Sequence, residues 1–541
     1  MEPTAMLPFT NPATGETFGE VAMTSTAEVQ AAVDELRGTA KVWGRKRIDA
    51  RVRIMRQLQA VLIDARDEIS TTISRDHGKN RQDALIEVFV TVDALSTALN
   101  NARRWLRRER VPNGLYLFKR FYVEPRPYGV VGVLAPWNYP FMLALQPLQS
   151  ALVAGNTVVV KPSEVTGAIG VLIERLLQRV PELASYVRVV HGDGRVGAAL
   201  VAARPDLIYL TGSTATGKKV MAAAAEHVIP VVAELGGKDP MLVLEDADLD
   251  AAAEWGAWGS FFNTGQTCMG VERVYVVASA HDEFVDRSVA YARKLKMGYS
   301  LSPEARHSLG PVTSPAQVQI IKSQLADAAA KGARTLTGGN WQGNFLAPTV
   351  LVGVRHDMRV MQEETFGPIM PIMQVADEAE AIRLANDSLF GLSASVWSRD
   401  LERAERVAQQ LEVGSVIIND TISHFGVPTL PFGGVKESGF GRAHGRNGVL
   451  QFTQAYSYAT GQPPHPLDVA TVLRRPGHYA LGAALLRLAR GVTPRQRLEP
   501  VREAVAGGLH KARLSPLHLG LGVLTAAAVL AFSLGGRRGK K

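Results

Sequence analysis

Cys268 is the only cysteine in 541 residues, so its thiol has no internal disulfide partner and no cysteine-based metal site to join. It lies in Asn263-Thr-Gly-Gln-Thr-Cys268-Met-Gly270, a loop of small and polar residues that follows an apolar helical stretch ending at Phe261-Phe262. Gly265 and Gly270 permit tight turns and the close approach of a substrate or of backbone. A lone cysteine is by default an inert small hydrophobe; a nucleophilic role needs partners elsewhere in the chain.

Several segments carry residue types that could be those partners. Glu234 stands in Val232-Ala-Glu-Leu-Gly-Gly-Lys-Asp-Pro240, at the end of an apolar run and directly before a glycine pair. It reads as a surface charge or loop cap, or, if burial raises its pKa, as a general base. Asn138 in Ala135-Pro-Trp-Asn-Tyr-Pro140 leaves an apolar run between two stiffening prolines, and its amide N–H is the kind of fixed donor a developing oxyanion needs. Thr211-Gly-Ser-Thr-Ala-Thr-Gly217 sits between a strand pattern and a helix pattern, where a pyrophosphate could meet a helix N-terminus, although its glycine spacing is not the usual dinucleotide fingerprint. Lys161-Pro-Ser-Glu164 follows another apolar run, and a lysine there can bond ribose hydroxyls. Glu363-Glu-Thr-Phe-Gly-Pro368 and the glycine-rich Leu430–Arg442 segment complete the set, the second reading chiefly as constrained loops.

The elements that must position these residues follow from periodicity. From Ser25 to about Arg110, apolar residues recur at three- and four-residue spacing and predict helices. Leu115 to Val123 alternates like an exposed strand, as does Gln451 to Tyr458. Between them, Gly129–Leu134, Thr157–Val160, Val187–Val190, Leu207–Leu210 and Val228–Ala233 are apolar on both faces and alternate with helix patterns, which indicates a parallel sheet covered by helices. A second series from Ala251 to about Gly434 includes Arg273–Val277, Pro371–Val375 and Gly414–Ile418 and reads as a second α/β lobe. The N-terminus has no early apolar run and does not read as a secretory signal.

In this order and spacing, from about Asn11 to Gly461, the segments resemble the NAD(P)-dependent aldehyde dehydrogenase superfamily. The resemblance implies an α/β fold of two Rossmann-like parallel-sheet lobes: an NAD-binding domain over residues 1–112 and 128–234, a catalytic domain over 235–446, and a bridging ribbon from 113–127 and 447–461 that pairs across subunits in a homodimer or homotetramer. It implies Cys268 as nucleophile, Glu234 as general base, and Asn138 with the cysteine backbone N–H as oxyanion hole. It further implies cofactor contacts from Pro136, Trp137, Lys161, Ser163, Glu164, Gly194, Thr211, Gly212, Ser213, Glu364 and Phe366, with Lys161 and Glu364 on ribose hydroxyls and Ser213 near the pyrophosphate. Glu164 near the adenosine 2′ position would repel a 2′-phosphate, which favours NAD while leaving NADP open. No metal is implied. Branches of the family that pass the acyl group to coenzyme A typically lack the glutamate matched by Glu234, so a free acid is the expected product.

The formal charge of +9 is unevenly spread. Residues 462–541 hold 13 Lys and Arg against 3 Asp and Glu, and the remainder is close to neutral. The tail opens on a Pro-rich linker, continues through a basic amphipathic helix pattern over His478–Arg490, and carries an uncharged segment, 514–536, closed by Arg537, Arg538, Lys540 and Lys541. Its apolar part is about long enough to cross a bilayer. It reads as a membrane anchor or surface helix drawn to anionic lipid, or else as a C-terminal helix packed on the body or a partner subunit. Resemblance to fatty-aldehyde dehydrogenases with a C-terminal anchor points to a hydrophobic aldehyde and a cytoplasmic body held at a membrane. Two alternatives remain: a semialdehyde dehydrogenase for an acidic substrate, and a catalytically idle tethered scaffold, against which the joint presence of Asn138, Glu234, Cys268 and Glu364 argues. Nucleic-acid binding is not expected, because the basic residues accompany an apolar segment rather than a nucleic-acid module.

Overall fold

The computed structural model describes residues 5–116 and 118–461 and, in the tail, 469–470, 474, 476, 479–490 and 493–499. It divides into two compact units, residues 1–107 with 125–454 and residues 108–124 with 455–541. The uncharged segment 514–536 lies outside the described residues.

The larger unit is built on two sheets. The first has six strands in the order Gly439–Phe440, Val231–Glu234, Leu207–Thr211, Val130–Leu134, Thr157–Lys161 and Val187–Val189, parallel throughout except for the short Gly439–Phe440 edge. Its central strands are buried at every position, as expected of a sheet with helices on both faces. The second has seven strands in the order Arg334–Thr337, Thr349–Val352, Ile369–Val375, Val271–Val277, Asp239–Val243, Ser393–Trp397 and Ser415–Ile418, again parallel apart from one edge. The two sheets are joined by the chain from Glu234 to Asp239, so the Leu235-Gly-Gly-Lys connection stands where one sheet ends and the other begins.

The helical reading of the N-terminal region holds: Thr26–Arg45, Ile48–Asp64, Arg66–His77 and Arg81–Trp105 are helices. A full capping box at Ser25 and Glu28 starts the first, and Gly78 in the left-handed conformation ends the third. Other expectations shift. Leu115 lies in a turn and the exposed strand is Lys119–Pro127, while its partner runs Thr453–Gly461 rather than from Gln451. Val228 is 88% exposed with φ near +55°, so that strand begins only at Val231, after Pro230. Apolar character marked these runs, and turn geometry moved their ends. Thr453–Gly461, Lys119–Pro127 and Glu109–Val111 form a three-stranded sheet, and Tyr479–Arg490, in the smaller unit, is helical as its pattern predicts.

Candidate active site

The loop that carries Cys268 is conformationally unusual. After the helix Leu249–Phe261, Asn263, Thr264 and Gly265 are successively left-handed, with φ of 52°, 59° and 72°. A β-branched threonine in that region is strained by about 1–3 kcal/mol, and the surroundings hold it there. Asn263 Nδ2 donates to the carbonyls of Asn138 and Gln266 (both 3.1 Å), Thr264 Oγ1 donates to the Gly310 carbonyl, and Gln266 Oε1 accepts from the Thr313 N–H at 2.8 Å. Gly265 must be glycine for a second reason: a Cβ there would overlap the Gly367 carbonyl. The cysteine loop is thereby seated directly on the Glu363–Pro368 loop.

Asn138 follows the central Val130–Leu134 strand and is buried. One of its amide N–H groups donates to the Gln266 carbonyl at 3.2 Å, which leaves the other for a ligand. Its own carbonyl accepts from Lys79 Nζ at 2.8 Å. Lys79 is in turn paired with Glu87 at 3.2 Å in a fully buried ion pair, and Glu87 Oε1 accepts from the N–H groups of Phe141 and Met142 at the start of the helix Met142–Ala154. These residues were not among the sequence candidates. Their only signal was two charges, Lys79 and Glu87, inside otherwise apolar helical surroundings.

Glu234 ends the Val231–Glu234 strand, 7% exposed, and neither carboxylate oxygen has a hydrogen-bond partner. Burial pushes its pKa up to about 8, opposed by the nearby Arg442 charge. Burial also holds the Cys268 thiol far above its ordinary range, reinforced by the charges of Asp239, Glu364 and Glu234. Cys268 and Glu234 open into one cavity of about 230 Å³, with apolar walls that include Met142, Trp258, Phe262 and Phe425. No Lys or Arg is among the described residues that line it.

The residues expected to hold a cofactor fall into two groups. Pro136, Trp137, Lys161, Ser163, Thr211, Gly212 and Ser213 all sit at the carboxyl ends of neighbouring strands of the six-stranded sheet, where Leu134 and Lys161 are in register. Ser213 caps the twelve-residue helix Thr214–Ala225, its Oγ accepting from the Thr216 N–H. Lys161 Nζ bonds Glu164 at 2.9 Å, and Ser163 Oγ accepts from the Val165 N–H. Gly194 opens the helix Gly194–Ala202 beyond the edge strand, and a side chain there would meet open space.

Glu364 and Phe366 come from the second sheet and reach the first. Glu364 Oε1 accepts from the Gly237 N–H at 3.2 Å and lies 2.7 Å from where a Cβ on Gly236 would stand. A Cβ on Gly237 would meet the Cys268 carbonyl, so the glycine pair admits both loops at close range. The Phe366 ring packs edge-on against Trp137 with centroids 5.5 Å apart. Its backbone is left-handed, φ 51°, and is held by Glu272, whose two oxygens accept from the N–H groups of Thr365 and Phe366 at 2.8 Å each. Lys238 pairs with Glu272 at 2.8 Å and donates to Thr365 Oγ1. Sequence reading missed both, since neither charge signals the other when Lys238 and Glu272 stand 34 positions apart. Burial, followed by the Glu272 charge, raises the Glu364 pKa.

This donor set fits a dinucleotide: a helix N-terminus for phosphate, a buried lysine and a partly buried carboxylate for hydroxyls, and an aromatic pair beside the thiol loop. Lys161 is 6% exposed, and Glu364 is partly buried.

Comparison with known proteins agrees with this geometry. A sequence model of the aldehyde dehydrogenase family matches residues 2–457. The chain is 43% identical over 461 residues to a 4,4'-diapolycopene aldehyde oxidase from Methylomonas sp, covering 85% of this chain and 86% of that protein. Among solved structures it is similar to an NAD-dependent aldehyde dehydrogenase from Sinorhizobium meliloti, with 33% identity, a TM-score of 0.81 and coverage of 85% and 93%. An NADP-dependent glyceraldehyde-3-phosphate dehydrogenase from Bacillus halodurans C-125, complexed with NADP, gives 34% identity, a TM-score of 0.80 and coverage of 85% and 96%.

Proposed function

The chain belongs to the aldehyde dehydrogenase family and oxidises an aldehyde with a nicotinamide dinucleotide; from that premise we propose that it converts a lipophilic aldehyde to the free acid, with Cys268 as nucleophile, Glu234 as general base and Asn138 in the oxyanion hole. The observation that carries the reading is the shared cavity: a thiol and an unpartnered buried carboxylate face the same apolar space.

Cys268 Sγ adds to the aldehyde carbon and loses its proton, forming a thiohemiacetal whose oxygen takes the free Asn138 N–H and the Cys268 backbone N–H. A bound nicotinamide dinucleotide supplies the hydride acceptor and, in its oxidised form, a positive charge that favours the thiolate. Glu234 removes a proton from water as it attacks the resulting thioester, releasing the acid and restoring the thiol. Lys161 and Glu364 would hold ribose hydroxyls, Phe366 and Trp137 would border the nicotinamide side, Pro136, Thr211, Gly212 and Ser213 would lie towards the pyrophosphate, and Ser163, Glu164 and Gly194 towards the adenosine. The Glu164 carboxylate disfavours a 2′-phosphate, so NAD is the preferred form.

The residues 1–112 and 128–234 serve the cofactor and 235–446 the chemistry. Lys119–Pro127 and Thr453–Gly461 are the surfaces through which subunits pair as a dimer or tetramer, and the basic tail with 514–536 holds the enzyme at a membrane. Among the described residues no helix is long and apolar enough to cross one. An acidic semialdehyde is disfavoured, because a second carboxylate would be desolvated in a cavity that also contains Glu234. Rates of cofactor reduction with n-alkyl aldehydes of increasing length and with succinic semialdehyde test the reading. Rates that rise with alkyl length fit it; turnover confined to succinic semialdehyde overturns it.

A further inference from the structure

The cavity that receives the aldehyde is not apolar throughout. Along the helix Met142–Ala154, Met142, Gln146 and Gln149 all line it, and Met142 packs in the same cluster as Cys268. At 1.5 Å per residue, Gln146 and Gln149 lie about 6 and about 10 Å along the helix from Met142. Gln146 is 8% exposed and Gln149 2%, yet the Nε2 of each has no hydrogen-bond partner. His444 faces them, 9% exposed, with its Nε2 3.3 Å from Gln146 Oε1 and its Nδ1 unpartnered. It sits at the start of the helix Gly445–Leu450 with φ of 64°, but its side chain makes no capping bond and lines the cavity instead.

Besides the Glu234 carboxylate, the chamber holds these three unpartnered, buried polar atoms, and each is costly unless something in the chamber bonds it. Their chemistry specifies what. Burial, with the neighbouring His424 adding to it, pushes His444 down to about 4, so the ring is neutral at physiological pH. Gln146 Oε1 can only accept, so Nε2 carries the ring proton and Nδ1 is an acceptor. The set therefore offers two N–H donors and one acceptor. A hydroxyl satisfies both kinds; a carbonyl leaves Nδ1 unpaired, and a carboxylate meets no cation.

Building on the lipophilic-aldehyde reading, we propose that Gln146, Gln149 and His444 form a distal polar subsite that binds a hydroxyl carried by the substrate away from its aldehyde. The enzyme is thus selective for long hydroxyaldehydes over plain alkyl aldehydes.

The test uses the full-length enzyme and a chain-length series of ω-hydroxyaldehydes, n-alkyl aldehydes and ω-carboxyaldehydes, read as kcat/KM. At the best-fitting length the hydroxyl compound is expected to exceed its alkyl counterpart by about tenfold, the worth of one or two buried hydrogen bonds, and the carboxylate to fall below both. In Gln149→Leu and in His444→Phe the hydroxyl-to-alkyl ratio collapses towards one; as a ratio within one protein it is insensitive to partial misfolding. A ratio near one at every length in the wild type, or one that survives both substitutions, overturns the proposal. So does an equal loss on both substrates with a shifted pH profile, which would assign His444 to Glu234. If no aldehyde is oxidised, the activity reading fails on its own, and calorimetric affinities of the matching diols and 1-alkanols still report the same ratio.

Discussion

Cys268 and Glu234 are both held in their protonated forms by burial, which sets the pH behaviour of the site. A general base must be ionised, and Glu234 with a pKa of about 8 becomes so only as pH rises through that value. The steady-state rate is therefore expected to climb between about pH 7 and pH 9. Glu234→Gln should keep a single burst of reduced cofactor and lose steady-state turnover by about 10²–10⁴-fold, the rising limb going with it. Rapid-mixing absorbance separates the two phases; a variant that retains both turnover and limb removes Glu234 from the mechanism. Cys268→Ala should lose turnover by at least about 10⁴-fold with no burst, while still binding the dinucleotide in a calorimetric titration.

At the scale of elements, the site is a meeting of three loops, and the contacts between loops matter more than any one of them. Gly265→Ala places a Cβ into the Gly367 carbonyl at a left-handed position, so it should cost about 3 kcal/mol or more in urea unfolding. Glu272→Ala leaves Lys238 buried without its partner and frees the Thr365 and Phe366 N–H groups. A loss of roughly 3–5 kcal/mol is expected, with a raised KM for the dinucleotide; an unchanged KM would mean that the Phe366 loop does not depend on Glu272. Away from the site, Asp76 closes the helix Arg66–His77 against the backbone of Ile169, and burial raises its pKa to about 7. Its folded pKa exceeds the unfolded one, so its contribution is complete below about pH 4 and is lost as pH rises through about 7. Asp76→Asn should match the wild type in Tm near pH 4 and exceed it near pH 8.

For the whole molecule, the basic tail and the catalytic body are separable questions. If the tail tethers the enzyme, full-length protein sediments with membranes at low salt, and a chain ending at Gly461 moves to the soluble fraction with its kcat/KM on a short aldehyde intact. Full-length protein that stays in the supernatant without detergent removes the tether from the account. Size-exclusion chromatography of the same pair shows whether Thr453–Gly461, kept in both, is enough for subunit pairing.

The two parallel-sheet lobes, the helical N-terminal region and the segments that gather around Cys268 were legible in the sequence, because apolar runs, turn residues and short motifs are local in the chain. The sequence left strand ends uncertain by a few residues, as at Leu115 and Val228, where a turn or a left-handed residue overrides an apolar pattern. Which groups support the motifs followed from tertiary packing alone. Lys79 with Glu87, and Lys238 with Glu272, look like scattered charges until the fold buries each pair together. The same holds for Glu234 and Cys268, whose pKa values depend on burial that no local pattern encodes, and for Gln146 and His444, which are 298 positions apart and 3.3 Å from one another in the cavity.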